Sequence, residues 1–440
     1  MKKRSLLIVL ALVTLAQQTR AKDWSQWLGT QRDSVWRETG IVNTFPSEGL
    51  PVKWRSPVGL GYGGPAVVGG RVYLMDYVRT YGKVENRPDG RQLLDGTERV
   101  LCLDSKTGKE IWKHEFDRPY NLSYPGGPRT TPTVADGKVY ALGAEGNFWC
   151  LDADTGDVVW KKDYRKDYKL DTPIWGYSSH PVVEGDTVYC IVGGEGSTAI
   201  AYDKNTGVEK WRALSSPEPG YGTPNLIEHA GRKQLIVWHA QSINSLDPSN
   251  GKVNWSLPLK PGFNMAVMTP RLHGDFLFAS AIGYASALIK LQDDTTKASI
   301  VWRGNTQNAV YCVNSTPFIE EGTIYGCNVE TSELMGVDLK TAERLWATKK
   351  PTVGEGKTAR HGTAFIVKHE DRFFLFSETG DLILAKLSPK GYDEISRFHV
   401  LEPTNEVFGR PCVWSHPAFA EKSCFARNDN EIVCVDLAAR

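Results

Sequence analysis

Four stretches of this chain align without gaps on one pattern: Asp104-x-x-Thr107-Gly108-x-x-x-Trp112, Asp152-x-x-Thr155-Gly156-x-x-x-Trp160, Asp203-x-x-Thr206-Gly207-x-x-x-Trp211 and Asp247-x-x-Asn250-Gly251-x-x-x-Trp255. A fifth, Asp338-x-x-Thr341-Ala342-x-x-x-Trp346, keeps the spacing with Ala in place of Gly. A copy ending at Trp302 has lost the Asp and Gly, and one ending near Arg397 has lost the Trp. The repeat tryptophans Trp112, Trp160, Trp211, Trp255, Trp302 and Trp346 lie 48, 51, 44, 47 and 44 residues apart. Scattered tryptophans on unrelated loops do not hold a constant distance from an Asp. The pattern therefore marks one structural unit repeated along the chain. Within it the Asp can accept backbone N–H bonds across a turn and the Thr adds a hydroxyl. Gly takes the positive-φ position that a Cβ would penalise.

Each unit opens with a second signature: Thr131-Pro132, His180-Pro181, Thr223-Pro224, Thr269-Pro270, Thr316-Pro317 and His416-Pro417, with weaker copies at Gly64-Pro65 and Gly362-Thr363. A short apolar strand follows, then a hairpin turn such as Asp136-Gly137, then a second strand. A third strand ends in Leu-Asp, and the repeat turn leads to a fourth that carries the Trp. Four short antiparallel strands per period of about 45 residues form a propeller blade, and the fold class is all-β. The eight openings predict one eight-bladed β-propeller over residues 51–440, not the two or three domains that 440 residues would otherwise suggest. The last unit has room for three strands only. Pro51-Val-Lys-Trp54-Arg-Ser-Pro57 is a spare fourth strand with a Trp at the blade-closing position. The ring should close by pairing this strand with the C-terminal blade, which leaves no free edge at the seam. The first unit carries an insertion, residues 76–98, that reads as a polar loop over one face.

Residues 1–21 form a targeting signal: a basic Met1-Lys2-Lys3-Arg4, an apolar run from Ser5 to Ala16, and small residues before a cleavage point after Ala21. Residues 22–50 form an N-terminal extension. The mature protein is expected in the periplasm or outside the cell, as a monomer without a transmembrane segment. Formal net charge is +1, and without residues 1–21 the balance is 48 basic to 51 acidic residues. Such a surface does not suit nucleic acid. Eight cysteines permit disulfides in an oxidising compartment, but no CxxC occurs and a zinc site is not expected. Cys102, Cys150 and Cys434 occupy one repeated strand position and read as packed hydrophobes.

The Asp-x-x-Thr-Gly-x-x-x-Trp units resemble the repeats of the pyrroloquinoline-quinone (PQQ)-like β-propellers. Asp23-Trp24-Ser-Gln-Trp27-Leu-Gly29 with Arg32-Asp33 resembles the Trp-Pro-x-Trp-Arg-Gly opening of an exported subfamily. Two kinds of relative bear on function. One is the non-enzymatic outer-membrane assembly factor of the BamB type, whose likeness implies an envelope protein or extended peptide as partner. The other is the quinoprotein dehydrogenases, whose likeness implies PQQ held with Ca²⁺ by Glu, Asn and Asp, an adjacent Cys-Cys disulfide, an Asp base, and oxidation of alcohols or sugars. This chain has no adjacent cysteines and few acids in its strand-opening loops. A non-catalytic binding or scaffold propeller without cofactor or metal is therefore the preferred expectation.

The blade-opening loops converge on one mouth of the axial channel. They carry Tyr62, Arg129, Trp175, Tyr177, His180, Tyr221, Asn314, Arg360, His361, Trp414 and His416. Aromatic, guanidinium and imidazole groups there can hold a protein segment or a small anionic or carbohydrate-like ligand. They can equally plug the channel by bonding to backbone groups. Arg129, Trp175, Tyr177, Tyr221, Arg360, His361 and Trp414 are the candidate ligand-binding residues, and no catalytic set is assigned. Arg129 and Arg360 have no obvious nearby acid in the sequence, so each is expected to meet a ligand.

Overall fold

The computed structural model describes residues 23–440, so the targeting signal expected over residues 1–21 lies outside the described residues. The described residues form eight propeller blades, each a path of four antiparallel strands. In the first blade a short extra strand, Tyr120–Leu122, also pairs with Gln92–Asp104. Among the described residues, regular helix is confined to the five residues Tyr164–Tyr168 and one 3₁₀ turn, Gly262–Asn264.

The repeat performs the local chemistry expected of it. In the first copy, Asp104 Oδ1 accepts the Thr107 backbone N–H at 2.8 Å and the Thr107 hydroxyl at 2.7 Å. These bonds hold the Asp104 carboxyl below its ordinary range, the Thr107 hydroxyl first among them. In the first blades the repeat Trp then lies on the next blade's turn. Trp112 donates its indole N–H to Ala153 O at 3.1 Å, Trp160 to Lys204 O at 3.0 Å, and Trp211 to Pro248 O at 3.0 Å. In every case the acceptor is the carbonyl one residue after the repeat Asp, and the ring covers the repeat Gly. Each contact thus couples burial of a large aromatic to a satisfied buried polar group, blade after blade.

The seam follows the same rule. Strand Val52–Pro57 pairs antiparallel with Glu431–Asp436, with Trp54 opposite Cys434. Its indole donates to Ser105 O at 2.8 Å and lies against Gly108, as a further copy of the contact. All eight cysteines are free and buried.

The 76–98 insertion is not a loop. The second and third strands of blade 1 continue through it, as Arg71–Tyr81 and Gln92–Asp104, with Asp76 opposite Arg99 and Tyr81 opposite Asp95. Buried and more exposed side chains alternate along the first part of Gln92–Asp104, Tyr77 is fully buried and stacks on Tyr120 at 4.1 Å, and Arg99 forks onto Asp76 at 2.6 and 2.8 Å. Only residues 82–91 form a loop. They lean toward the propeller's axial mouth, where Asn86 Nδ2 donates to Glu406 O at 2.7 Å.

Residues 23–50 are a strap across the opposite mouth. Trp24 bridges Val67 in blade 1, and Ser25 O accepts from Val134 N in blade 2. Arg271 of blade 5 donates to Arg32 O and Asp33 O, and Val35 bridges Lys368 in blade 7. Trp24, Trp36, Ile41, Phe45 and Leu50 then join the apolar core of the seam blades.

Candidate functional site

The loops that lead into the innermost strands surround an axial cavity of about 610 Å³. Its floor is a residue of the strap. Trp27 stacks on His180 at 4.4 Å with rings 10° apart, meets His416 edge-on at 4.9 Å, and donates its indole N–H to Thr269 Oγ1 at 3.3 Å. Blades 3, 5 and 8 each contribute one of those partners. The cavity is therefore a cup open at one end, not a through-channel.

Its walls are aromatic. Trp175 meets Tyr221 edge-on at 5.6 Å on one side. Trp414 stacks on Tyr124 at 6.2 Å and His361 stacks on Phe408 at 5.0 Å. Trp414 is aimed by Glu378, a buried carboxylate that accepts its indole N–H at 3.2 Å and the Arg410 guanidinium at 2.7 Å. Phe263 and Phe408 stand exposed at the rim. Met265, Val267 and Ile282 add apolar surface below them.

Of the seven expected site residues, Arg129, Trp175, Tyr221, Arg360, His361 and Trp414 line this cup. Tyr177 does not. It is buried inside blade 2, edge-on to Tyr164 at 5.4 Å, with its backbone N–H bonded to Ala144 O at 2.8 Å. Adjacent loop residues point to opposite sides, and the channel takes Trp175 and Ser178 while the blade core takes Tyr177. Tyr62, His180, Asn314 and His416 also line the cup.

The two arginines are less free than their surroundings in the sequence suggest. Arg129 donates to Trp175 O at 2.8 Å, Tyr124 O at 2.5 Å, Ser123 O at 3.1 Å and Gly127 O. It holds the loops that shape one wall, and its guanidinium lies 5.3 Å from the Tyr62 ring. Arg360 is exposed and pairs with Glu330 at 2.8 Å. An acid 30 residues upstream along the chain is its partner, brought there by the ring.

The floor imidazoles are neutral. Burial lowers His180 from 6.5 to about 3 and His416 to about 4. Hydrogen bonds fix their tautomers. Thr131 N–H donates to His180 Nδ1 at 2.8 Å, so the ring proton of His180 is on Nε2. His416 Nδ1 lies 2.6 Å from Pro417 O, which can only accept, so its proton is on Nδ1 and Nε2 keeps a lone pair. Burial also lowers His361 to about 4, with Arg410 and Arg360 adding to the effect.

Trp27, Tyr124, Phe263, Phe408 and the tip residues Pro88 and Asp89 complete the lining. Sequence reasoning did not place them there. Trp27 carried a signal, the aromatic motif of residues 23–29, but nothing local says that it reaches the axis. A second hollow of about 770 Å³ lies at the seam beside residues 55–60. Its Arg55 and Arg99 are already paired, with Glu431 at 2.7 Å and Asp76 at 2.6 Å.

A family model described as outer membrane protein assembly factor BamB matches residues 96–348. The fold is similar to that of BamB from Moraxella catarrhalis, with 13% identity and a TM-score of 0.52 over 83% of this chain and 99% of that one. It is also similar to a europium-containing methanol dehydrogenase, with 13% identity and a TM-score of 0.59 over 94% of this chain and 89% of that one. A quinohemoprotein alcohol dehydrogenase from Pseudomonas putida HK5 gives 14% identity and a TM-score of 0.58 over 97% and 82%. At such identities the likeness is one of fold, which does not by itself carry chemistry. No curated protein matches the chain.

Proposed function

Because the chain belongs to the family described as outer membrane protein assembly factor BamB, whose model spans residues 96–348, we propose that it is a non-catalytic, exported binding propeller of the cell envelope. Its recognition site is the axial cup, and the likeness to BamB supports an envelope protein as the partner it works beside. Among the described residues no helix is long and apolar enough to cross a membrane.

The observation that carries this reading is the make-up of the cup. Asp89, at the tip of the blade 1 hairpin, is the single carboxylate of its lining. Among the described residues no three Asp, Glu, His or Cys side chains come together in a way that could hold a metal ion. PQQ held with Ca²⁺, the alternative that the dehydrogenase neighbours raise, needs several oxygen ligands at one point. The lining does not fit that requirement, and the cysteines, all buried and none adjacent in sequence, do not supply the disulfide of those relatives. What remains is a surface suited to stacking and hydrogen bonding.

The test pairs a PQQ/Ca²⁺ titration of the purified protein with cross-linking in intact envelopes. The expected result is no quinone absorbance change, no dye-linked alcohol oxidation, and specific cross-links from reagents placed at the cup rim. Tight PQQ binding with alcohol turnover would refute the proposal.

A further inference from the structure

The floor of the cup holds two polar atoms whose bonding capacity the protein leaves unused. His180 is 6% exposed and His416 is 5% exposed, and both line the cavity. Each ring spends Nδ1 on the backbone, to Thr131 N–H and Pro417 O respectively. Their Nε2 atoms, one a donor and one an acceptor, have no partner among the described residues. Both residues line the cavity, so this donor and this acceptor are placed to be completed by a bound ligand. Both contact Trp27, His180 stacked on it and His416 edge-on to it.

Charge is absent where an ionic ligand would need it. Arg129 is committed to four carbonyls and Arg360 to Glu330. Both floor imidazoles are held neutral by burial. The walls above offer two aromatic pairs, Trp175 with Tyr221 and Trp414 with Tyr124. A fitting ligand is neutral, presents hydroxyls that both accept and donate at one end, and shows apolar C–H faces to aromatic rings. Those are the features of a pyranose, whose weakly positive C–H faces meet the negative face of an aromatic ring. A volume of about 610 Å³ suits a short chain of sugar units.

We infer that the cup binds the end of a neutral saccharide, with ring faces against Trp414 and Trp175 and one hydroxyl pair bridging His180 Nε2–H and His416 Nε2. This rests on the reading of the chain as a binding propeller and narrows its ligand to an uncharged class. An apolar peptide side chain would leave both imidazole atoms unmet, and an anion would find no free cation.

The full mature chain is titrated calorimetrically and by tryptophan fluorescence with cellohexaose, maltohexaose and chitohexaose as neutral probes, and with hexagalacturonate as an anionic probe of equal length. At least one neutral probe should bind with Kd below about 1 mM. Hexagalacturonate should bind at least tenfold more weakly, and raising salt should change the neutral affinity less than twofold. Phe408→Ala, at the exposed rim, and His416→Gln, at the floor, should each weaken binding at least tenfold. If His416→Gln fails to fold, Trp414→Ala takes its place. No signal from any neutral probe at about 10 mM, or a preference for hexagalacturonate that salt abolishes, overturns the inference. That failure leaves the binding-propeller reading standing so long as PQQ and Ca²⁺ also fail to bind, so the two failures are distinguishable.

Discussion

Replacing Gly108 by Ala tests the closure of the ring directly. Gly108 sits at φ +69°, and a Cβ there would lie 2.5 Å from Trp54 Cε3 and 2.3 Å from Ser56 Oγ. Two costs follow. The left-handed conformation itself costs an Ala side chain about 1 kcal/mol. Overpacking against a rigid indole adds about 1–3 kcal/mol. The fifth repeat shows that the first cost is tolerable, since Ala342 holds φ +63° in the wild-type chain. Gly137 is the control: its φ is +71°, but nothing lies within 4 Å of its would-be Cβ. With about 2.1 cal/mol/K of unfolding entropy per residue, a ring of this size loses about 1 °C of Tm per kcal/mol. Scanning calorimetry should therefore show Tm falling by about 2–4 °C for Gly108→Ala and by about 1 °C for Gly137→Ala. In a Trp54→Ala background the part of the Gly108→Ala excess owed to the indole should vanish, while the part owed to Ser56 Oγ at 2.3 Å remains. Equal effects at Gly108 and Gly137, or full additivity with Trp54→Ala, would refute the seam contact as described.

Deleting residues 22–58 removes the outer strand of the last blade and should yield aggregated protein by sedimentation; a monomer of unchanged Tm would contradict the closure. Arg129→Ala leaves up to four carbonyls without their donor and should cost about 2–4 kcal/mol in urea unfolding, whereas Arg360→Ala, whose ion pair is exposed, should stay within about 0.5 kcal/mol. The buried His180 and His416 have folded pKa values of about 3 and about 4, below the ordinary 6.5, so the native state refuses protons that the unfolded chain accepts. Their contribution is whole above about pH 6.5 and is lost as pH falls toward 4, by up to about 2–3 kcal/mol per pH unit for the pair. Urea midpoints measured from pH 7.5 to 4.5 should fall accordingly, and His180→Phe should flatten the slope.

Nearly all of the blade architecture was legible in the sequence, because its causes are local. An Asp accepting from residues two and three ahead, a Gly at positive φ and a Trp eight residues after the Asp form one turn-and-strand unit that folds the same way wherever it occurs. Repetition made that signal unambiguous, and the missing fourth strand of the last unit pointed to Trp54. The candidate site was legible only in outline: proline-marked openings bring their loops to one mouth, so most of the lining could be named. Whether a given side chain faces the axis or the blade core depends on one backbone turn, which separates Trp175 from Tyr177. The partners of Arg129 and Arg360 also lay beyond reading, since carbonyls leave no mark in a sequence and Glu330 becomes a neighbour only through the ring. The same holds for the strap. Its path over blades 1, 2, 5 and 7 and the seating of Trp27 between His180 and His416 depend on surfaces that exist only once eight blades have closed. Local turn chemistry determined the blades, and long-range burial decided that the channel is a cup.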